Sequence, residues 1–305
     1  MTTPRRVELN LGWACNNDCV FCAEQERREH SRVIGRFRIP AEEIVADLRR
    51  FRAEGFDHVT FLGGEPTIRK DLPQLIHTAR QLGYARVLIT SNGRMLGDRS
   101  RLRTLLRAGL TDVCISLHGP DAATHDGLTG NPGSFAAAER ALFELVLAHQ
   151  PFFTSTVITR PNEATLESLV QFLHAFRPTR IYMALPNATG GALRRFASLY
   201  PVLPEVAPHV HRALDAAAAL GQPVSISKLP YCHLVGRERY SDDLLWAPGV
   251  RRRIEPQVSE RVEQRFGDRT VMPLACGGCR YRLSRGIHLF VPLHRLGGRL
   301  HTHGL

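Results

Sequence analysis

Short apolar runs alternate with amphipathic helical stretches over the first 186 residues of this chain, and little else about it constrains the fold as tightly. Residues 7–11, 59–62, 87–90, 112–117, 152–158 and 180–185 read as strands. Between them, residues 41–54 place Ile44, Val45, Leu48 and Phe51 at helical spacing,. Residues 71–82 do the same with Leu72, Leu75, Ile76, Ala79 and Leu82, and Gly83 ends that helix,. Further helices are expected at 99–108, at 134–149 with Ser134 as cap, and at 162–176 capped by Asn162. Strands alternating with helices of this length imply right-handed βαβ units and a parallel sheet. Six units are too few to close an eightfold barrel, so the fold class expected is α/β, a partial (β/α)6 barrel. Chemistry in such folds sits at the C-terminal ends of the strands.

The alternation breaks after residue 186. Residues 187–204 read as a Gly- and Pro-rich loop, 205–220 as a helix, 224–228 as a short strand, and the rest as irregular. The expected division is a core over 1–186 and a C-terminal extension over 187–305. With 43% hydrophobic residues and no run near 18 of them, no membrane span is expected,. The start lacks a signal peptide's apolar stretch, so a soluble cytoplasmic protein is expected. The net charge of +11 suggests an acidic or phosphate-bearing partner,. No recognition motif accompanies that charge, which leaves a nucleic-acid partner resting on charge alone. Residues 228–305 hold 14 Arg or Lys against 7 Asp or Glu, which places a basic patch near the C-terminus. Within it, Arg251, Arg252 and Arg253 suit a carboxylate or phosphate, or a solvated surface.

Six of the seven cysteines fall into two sets. Cys15, Cys19 and Cys22 form C-x3-C-x2-C directly after the first strand. Cys232, Cys276 and Cys279 form C-x43-C-x2-C. In a reducing compartment such sets suggest metal rather than disulfides. Thiolates are soft ligands that suit zinc or iron–sulfur clusters. Zinc and ordinary cubane sites close with four ligands, whereas three leave one position open. Cys114 stands apart as a small buried residue pointing to the same side as Ser116.

With Phe21 before its last cysteine, the first set resembles the signature of the radical S-adenosylmethionine (SAM) superfamily. Three further turns agree, each at a strand end and in order. Gly63-Gly64-Glu65-Pro66 follows the second strand and resembles the family's GGEP motif. Ser91-Asn92-Gly93 ends the third strand, and Ser116-Leu117-His118-Gly119 the fourth. The resemblance covers about residues 7–186. It implies a 4Fe–4S cluster on Cys15, Cys19 and Cys22 whose open iron chelates SAM. It also implies reductive cleavage of SAM to a 5′-deoxyadenosyl radical that abstracts hydrogen from a substrate, with electrons from an external flavodoxin- or ferredoxin-type donor. SAM contacts are then expected from Phe21, Gly63, Gly64, Glu65, Pro66, Ser91, Asn92, Ser116 and His118. Thr156 on the fifth strand and Leu185 on the sixth are expected near adenine and ribose. The paired glycines would let backbone approach the ligand, and Glu65 would accept from its ammonium.

The context Leu229-Pro230-Tyr231-Cys232 resembles the opening of a SPASM or twitch extension, which implies a second, auxiliary iron–sulfur cluster. No cysteine follows in residues 280–286, where that pattern has one. The auxiliary site is then open-sided, completed by a residue such as His233 or His288, or a zinc site. His301 and His303 read as a solvated end. A peptide or small-molecule substrate is expected, with RNA modification or a non-enzymatic electron-transfer role as alternatives.

Overall fold

The computed structural model describes residues 5–35 and 37–242, and the backbone of 251–253. Eight strands form one parallel sheet: β1 (Arg6–Asn10), β2 (His58–Leu62), β3 (Arg86–Ser91), β4 (Asp112–Ser116), β5 (Phe152–Val157), β6 (Ile181–Ala184), β7 (Val224–Ser227) and β8 (Arg251–Arg253). Their order, β7-β6-β5-β4-β3-β2-β1-β8, follows the sequence except at β8. The six expected strands are all present, and the sheet is an open, partial barrel. Among the described residues it continues beyond the expected six. The strand at 224–228 joins as β7, pairing Ile181 with Val224 and Met183 with Ile226. The arginine run pairs its backbone with β1 as β8, Val7 opposite Arg251.

Register places one apolar row of β1 to β4, β6 and β7 against the helices. Val7 and Leu9, Val59 and Phe61, Val87 and Ile89, Val113 and Ile115, Ile181 and Met183, and Ile226 all enter one buried cluster. The helical partners are the stripes of α2 (Ala41–Ala53), α3 (Leu72–Gln81), α4 (Arg99–Arg107), α6 (Ser134–Leu147), α7 (Leu166–His174) and α10 (Leu203–Ala219). The alternate residues, including Glu8, Asn10, Thr60, Cys114 and Ser225, line the concave face, which is polar. Burial pushes the Cys114 thiol up to about 12, so it stays a neutral small side chain.

Four helices had no sequence signal. α1 (Gln25–Ile34) has only Val33 and Ile34 as apolar residues, so it shows no stripe. α5 (Ala122–Thr129) is short and is set by its ends: Asp121 Oδ1 accepts from Thr124 N at 2.8 Å, and Gly130 terminates it left-handed. α8 (Gly190–Arg194) and α9 (Phe196–Leu199) fall in the expected loop. Two expected caps are corrected. Ser134 is the first helical residue, not the cap, and its hydroxyl donates to Asp126 Oδ1 at 2.8 Å. Asn162 caps nothing, for its side chain serves β4 and β5 as described below. Among the described residues no helix is long and apolar enough to cross a membrane.

Candidate active site

Parallel pairing brings every strand's C-terminal end to one rim, so the turns after β1, β2, β3 and β4 meet there. The turn after β1 carries Cys15, Cys19 and Cys22, and its backbone is held on several sides. Gly12 N donates to Asn10 Oδ1 (2.7 Å). Gly64 N donates to Gly12 O and Glu65 N to Ala14 O, both at 2.7 Å. Buried Arg69 donates from Nη1 to Leu11 O and Ile39 O, 2.8 Å each. From the end of α5, Thr129 O and Leu128 O accept from Asp18 N and Val20 N at 2.9 Å. Gly191 N of α8 donates to Cys22 O at 2.8 Å.

This grip gives the paired glycines a role within the fold itself. A Cβ on Gly64 would stand 2.0 Å from Ala14 O, and one on Gly63 2.5 Å from Gly12 O and from Asn10 Oδ1. Both glycines are required because the GGEP turn lies directly against the cysteine loop. Glu65 likewise has partners within the fold. Its carboxylate is buried and accepts from Thr67 N (3.0 Å), Thr67 Oγ1 (2.5 Å), Ser91 Oγ (2.8 Å) and, on Oε2, Asn92 N (2.7 Å). Burial pushes its pKa up, and these donors oppose the rise. The carboxylate therefore joins the β2 and β3 turns. Pro66 opens the following 3-10 turn at a position where its missing N–H costs nothing,.

Asn92 carries the link onward. Its Nδ2 donates to Asn16 Oδ1 at 2.7 Å and lies 3.9 Å from Cys15 Sγ. Asn131 Nδ2 donates to Asn16 O at 2.7 Å, and Arg94 Nη1 donates to the same carbonyl. Asn17 is buried, and its Nδ2 has no partner among the described residues.

At the end of β4, His118 is buried with its ring edge-on to Phe21, centroids 4.7 Å apart. Its Nδ1 accepts from Val157 N (3.2 Å), which leaves the proton on Nε2,. A second buried histidine, His125, stacks on it at 5.6 Å, and His125 Nδ1 accepts from His118 N (3.1 Å). Burial depresses both, His118 well below the usual range and His125 to about 4. Asn162 Nδ2 donates to His118 O (2.7 Å) and Val157 O (2.9 Å). One side chain thus joins the β4 and β5 ends.

The carry-overs on β5 and β6 point away from the concave face. Thr156 is buried, and its hydroxyl donates to Leu117 O (2.7 Å). Leu185 belongs to the main core. Val157 packs with Phe21 instead, and Ser116 faces the concave side with Cys114. His125, Arg69, Arg94, Asn131 and Arg28 were missed from sequence, because none belongs to a periodic or motif pattern.

Burial, the largest influence, raises all three cysteine thiols above their ordinary value. They become thiolates here only against a compensating cation, as metal binding provides. Among the described residues no three His, Cys, Asp or Glu side chains converge on a single-ion position. The orphaned Asn17 amide beside the cysteine thiols fits a group with acceptor atoms. Cys232 differs: it is exposed, on a 3-10 turn (Tyr231–His233) just after β7. His233 O accepts from His211 Nε2 (2.8 Å). Cys276, Cys279, residues 280–286, His288, His301 and His303 lie outside the described residues.

A parallel α/β partial barrel with three thiols and a glycine-bearing turn at its strand ends defines a class of cluster-bearing enzymes. Residues 9–173, more than half of the chain, match the model of the Radical SAM superfamily, and the chain belongs to that superfamily. It is 32% identical over 206 residues to a PqqA peptide cyclase of Rhodopseudomonas palustris, covering 67% of this chain and 52% of that one. It is 31% identical over 172 residues to a GTP 3′,8-cyclase of Synechococcus elongatus, covering 55% and 51%. The chain thus spans about half the length of these curated relatives. Streptococcus suis SuiB bound to precursor peptide SuiA shares the fold with a TM-score of 0.60 at 17% identity, covering 82% and 57%. AnSMEcpe with bound AdoMet and a peptide gives 0.56 at 18%, covering 72% and 63%.

Proposed function

We propose that this chain binds a 4Fe–4S cluster through Cys15, Cys19 and Cys22, and that it cleaves SAM reductively to modify a peptide or small molecule. The observation that carries this reading is the backbone cage that holds three partly buried thiols at the rim where the β1, β2 and β3 turns meet. A cluster held by Cys15, Cys19 and Cys22 would supply the electron for reductive cleavage of SAM, itself received from a flavodoxin- or ferredoxin-type donor. The remaining work belongs to the protein. Glu65 holds the β2 and β3 turns together, so that Asn92 stays beside Cys15. His118, neutral and with its proton on Nε2, presents a donor rather than a charge near Phe21. The polar concave face suits a substrate with hydrogen-bonding groups.

In this reading residues 1–186 carry the cofactor chemistry, and residues 187–305 specify the substrate even though β7 and β8 share the sheet. A peptide substrate is favoured by the PqqA peptide cyclase relative and by the peptide in the SuiB complex. Cys232, with Cys276 and Cys279, is assigned to a second metal site, iron–sulfur or zinc. The test is anaerobic reconstitution of the full chain, with iron and zinc counted and 5′-deoxyadenosine measured after adding SAM and dithionite. About four irons per cluster are expected, with 5′-deoxyadenosine formed. Iron-loaded protein that neither binds nor cleaves SAM would overturn the reading.

A further inference from the structure

We infer that Arg28 is a positioning residue for the cluster, its buried guanidinium setting how readily the site at Cys15, Cys19 and Cys22 accepts an electron. The inference rests on the cluster reading above. Arg28 lies in the first two turns of α1, which begins directly after the cysteine loop, and it is 8% exposed. α1 abuts the loop, with Gln25 N donating to Cys22 O (3.3 Å), and the Arg28 charge acts on all three thiols. A buried arginine without a strong counter-charge is costly and needs a reason. The one ion pair found for it among the described residues is long: Nη1 lies 3.3 Å from Asp18 Oδ1, and the Asp18 side chain is 72% exposed. Asp18 sits in the cysteine loop itself, and solvent screens its charge far more than that of Arg28. Glu65 and Glu24 oppose Arg28 at Cys15 and Cys22 respectively.

Three thiolates around a cluster place net negative charge at this spot, and reduction adds one unit more. A desolvated cation beside the ligating sulfurs stabilises the reduced form preferentially. Net charge and hydrogen bonds to sulfur are the levers that set such potentials. The pair Arg28 and Asp18 therefore acts with opposite signs: Arg28 favours reduction, and Asp18 tempers it.

The experiment is a redox titration of the reconstituted full-length chain, following the electron paramagnetic resonance signal that changes when SAM is added. Arg28→Gln is expected to lower the reduced-to-oxidised ratio at a fixed ambient potential at least tenfold, which is about 59 mV for a one-electron couple. Arg28→Lys restores most of that ratio, because the charge returns. Asp18→Asn shifts the ratio the other way, by less. A purely structural role would move Arg28→Gln and Asp18→Asn in the same direction or not at all, and either result overturns the inference. If Arg28→Gln fails to hold iron, the sign of the Asp18→Asn shift decides. A wild-type chain that takes up no iron defeats the cluster reading instead, a separate outcome.

Discussion

Two turns at the same rim of one sheet carry cysteines, and they are built differently. The turn after β1 is held by the ends of β2, α5 and α8 and by Arg69, and its thiols are desolvated. The turn after β7 leaves Cys232 exposed on a single 3-10 turn. The first shape is prepared by the fold before any metal arrives. The second, among the described residues, presents one cysteine. Preorganisation of this kind goes with a site whose geometry the chemistry depends on.

The sharpest way to break the contrast is by cysteine replacement. Alanine at Cys15, Cys19 or Cys22 is expected to reduce 5′-deoxyadenosine formation to the no-enzyme level. Cys232→Ala is expected to leave it measurable while lowering metal content. Equal loss from all four would erase the distinction. Next in size is Gly64→Ala, whose new methyl would meet Ala14 O at 2.0 Å. A destabilisation of about 3 kcal/mol or more is expected, the upper end of overpacking costs, read as a lowered denaturation midpoint with reduced iron uptake.

The histidine pair gives a pH signature of similar scale. His125 titrates near 4 when folded, against an ordinary value of 6.5. An unfolded chain thus binds the proton first, and the stability present above about pH 6.5 is lost progressively as pH falls toward 4. The shift corresponds to about 3 kcal/mol. His125→Asn retains an acceptor for His118 N and removes the titration, so its melting temperature should vary less across that window. Smallest is Gly127→Ala inside α5, where an added methyl meets nothing within 4 Å. It should stabilise by about 0.5–1 kcal/mol, read as a rise in melting temperature.

Much of the architecture was legible from periodicity alone. Strands and helices with strong apolar stripes, such as Leu72, Leu75, Ile76 and Ala79 in α3, need only local pattern to be recognised. α1 and α5 escaped because contacts and end residues, not a stripe, make them helical. The strand at 224–228 was legible but its place in the sheet was not, and β8 escaped because a three-residue strand is defined by its neighbour. Asn162 was misread because a side chain that can cap a helix can equally donate to the carbonyls of two neighbouring strand ends.

What the sequence by itself determined is the alternation that makes a parallel sheet and the spacing that puts three thiols after its first strand. Both are local properties of the chain, periodic or contiguous. Only the tertiary structure decided that Gly63 and Gly64 yield room to the cysteine loop, and that Glu65 is occupied by the β3 turn. It alone brought His125 onto His118 and Arg28 against the thiols. Those roles depend on close approach between residues far apart in sequence or outside any motif, and distance in space is what a linear pattern does not carry.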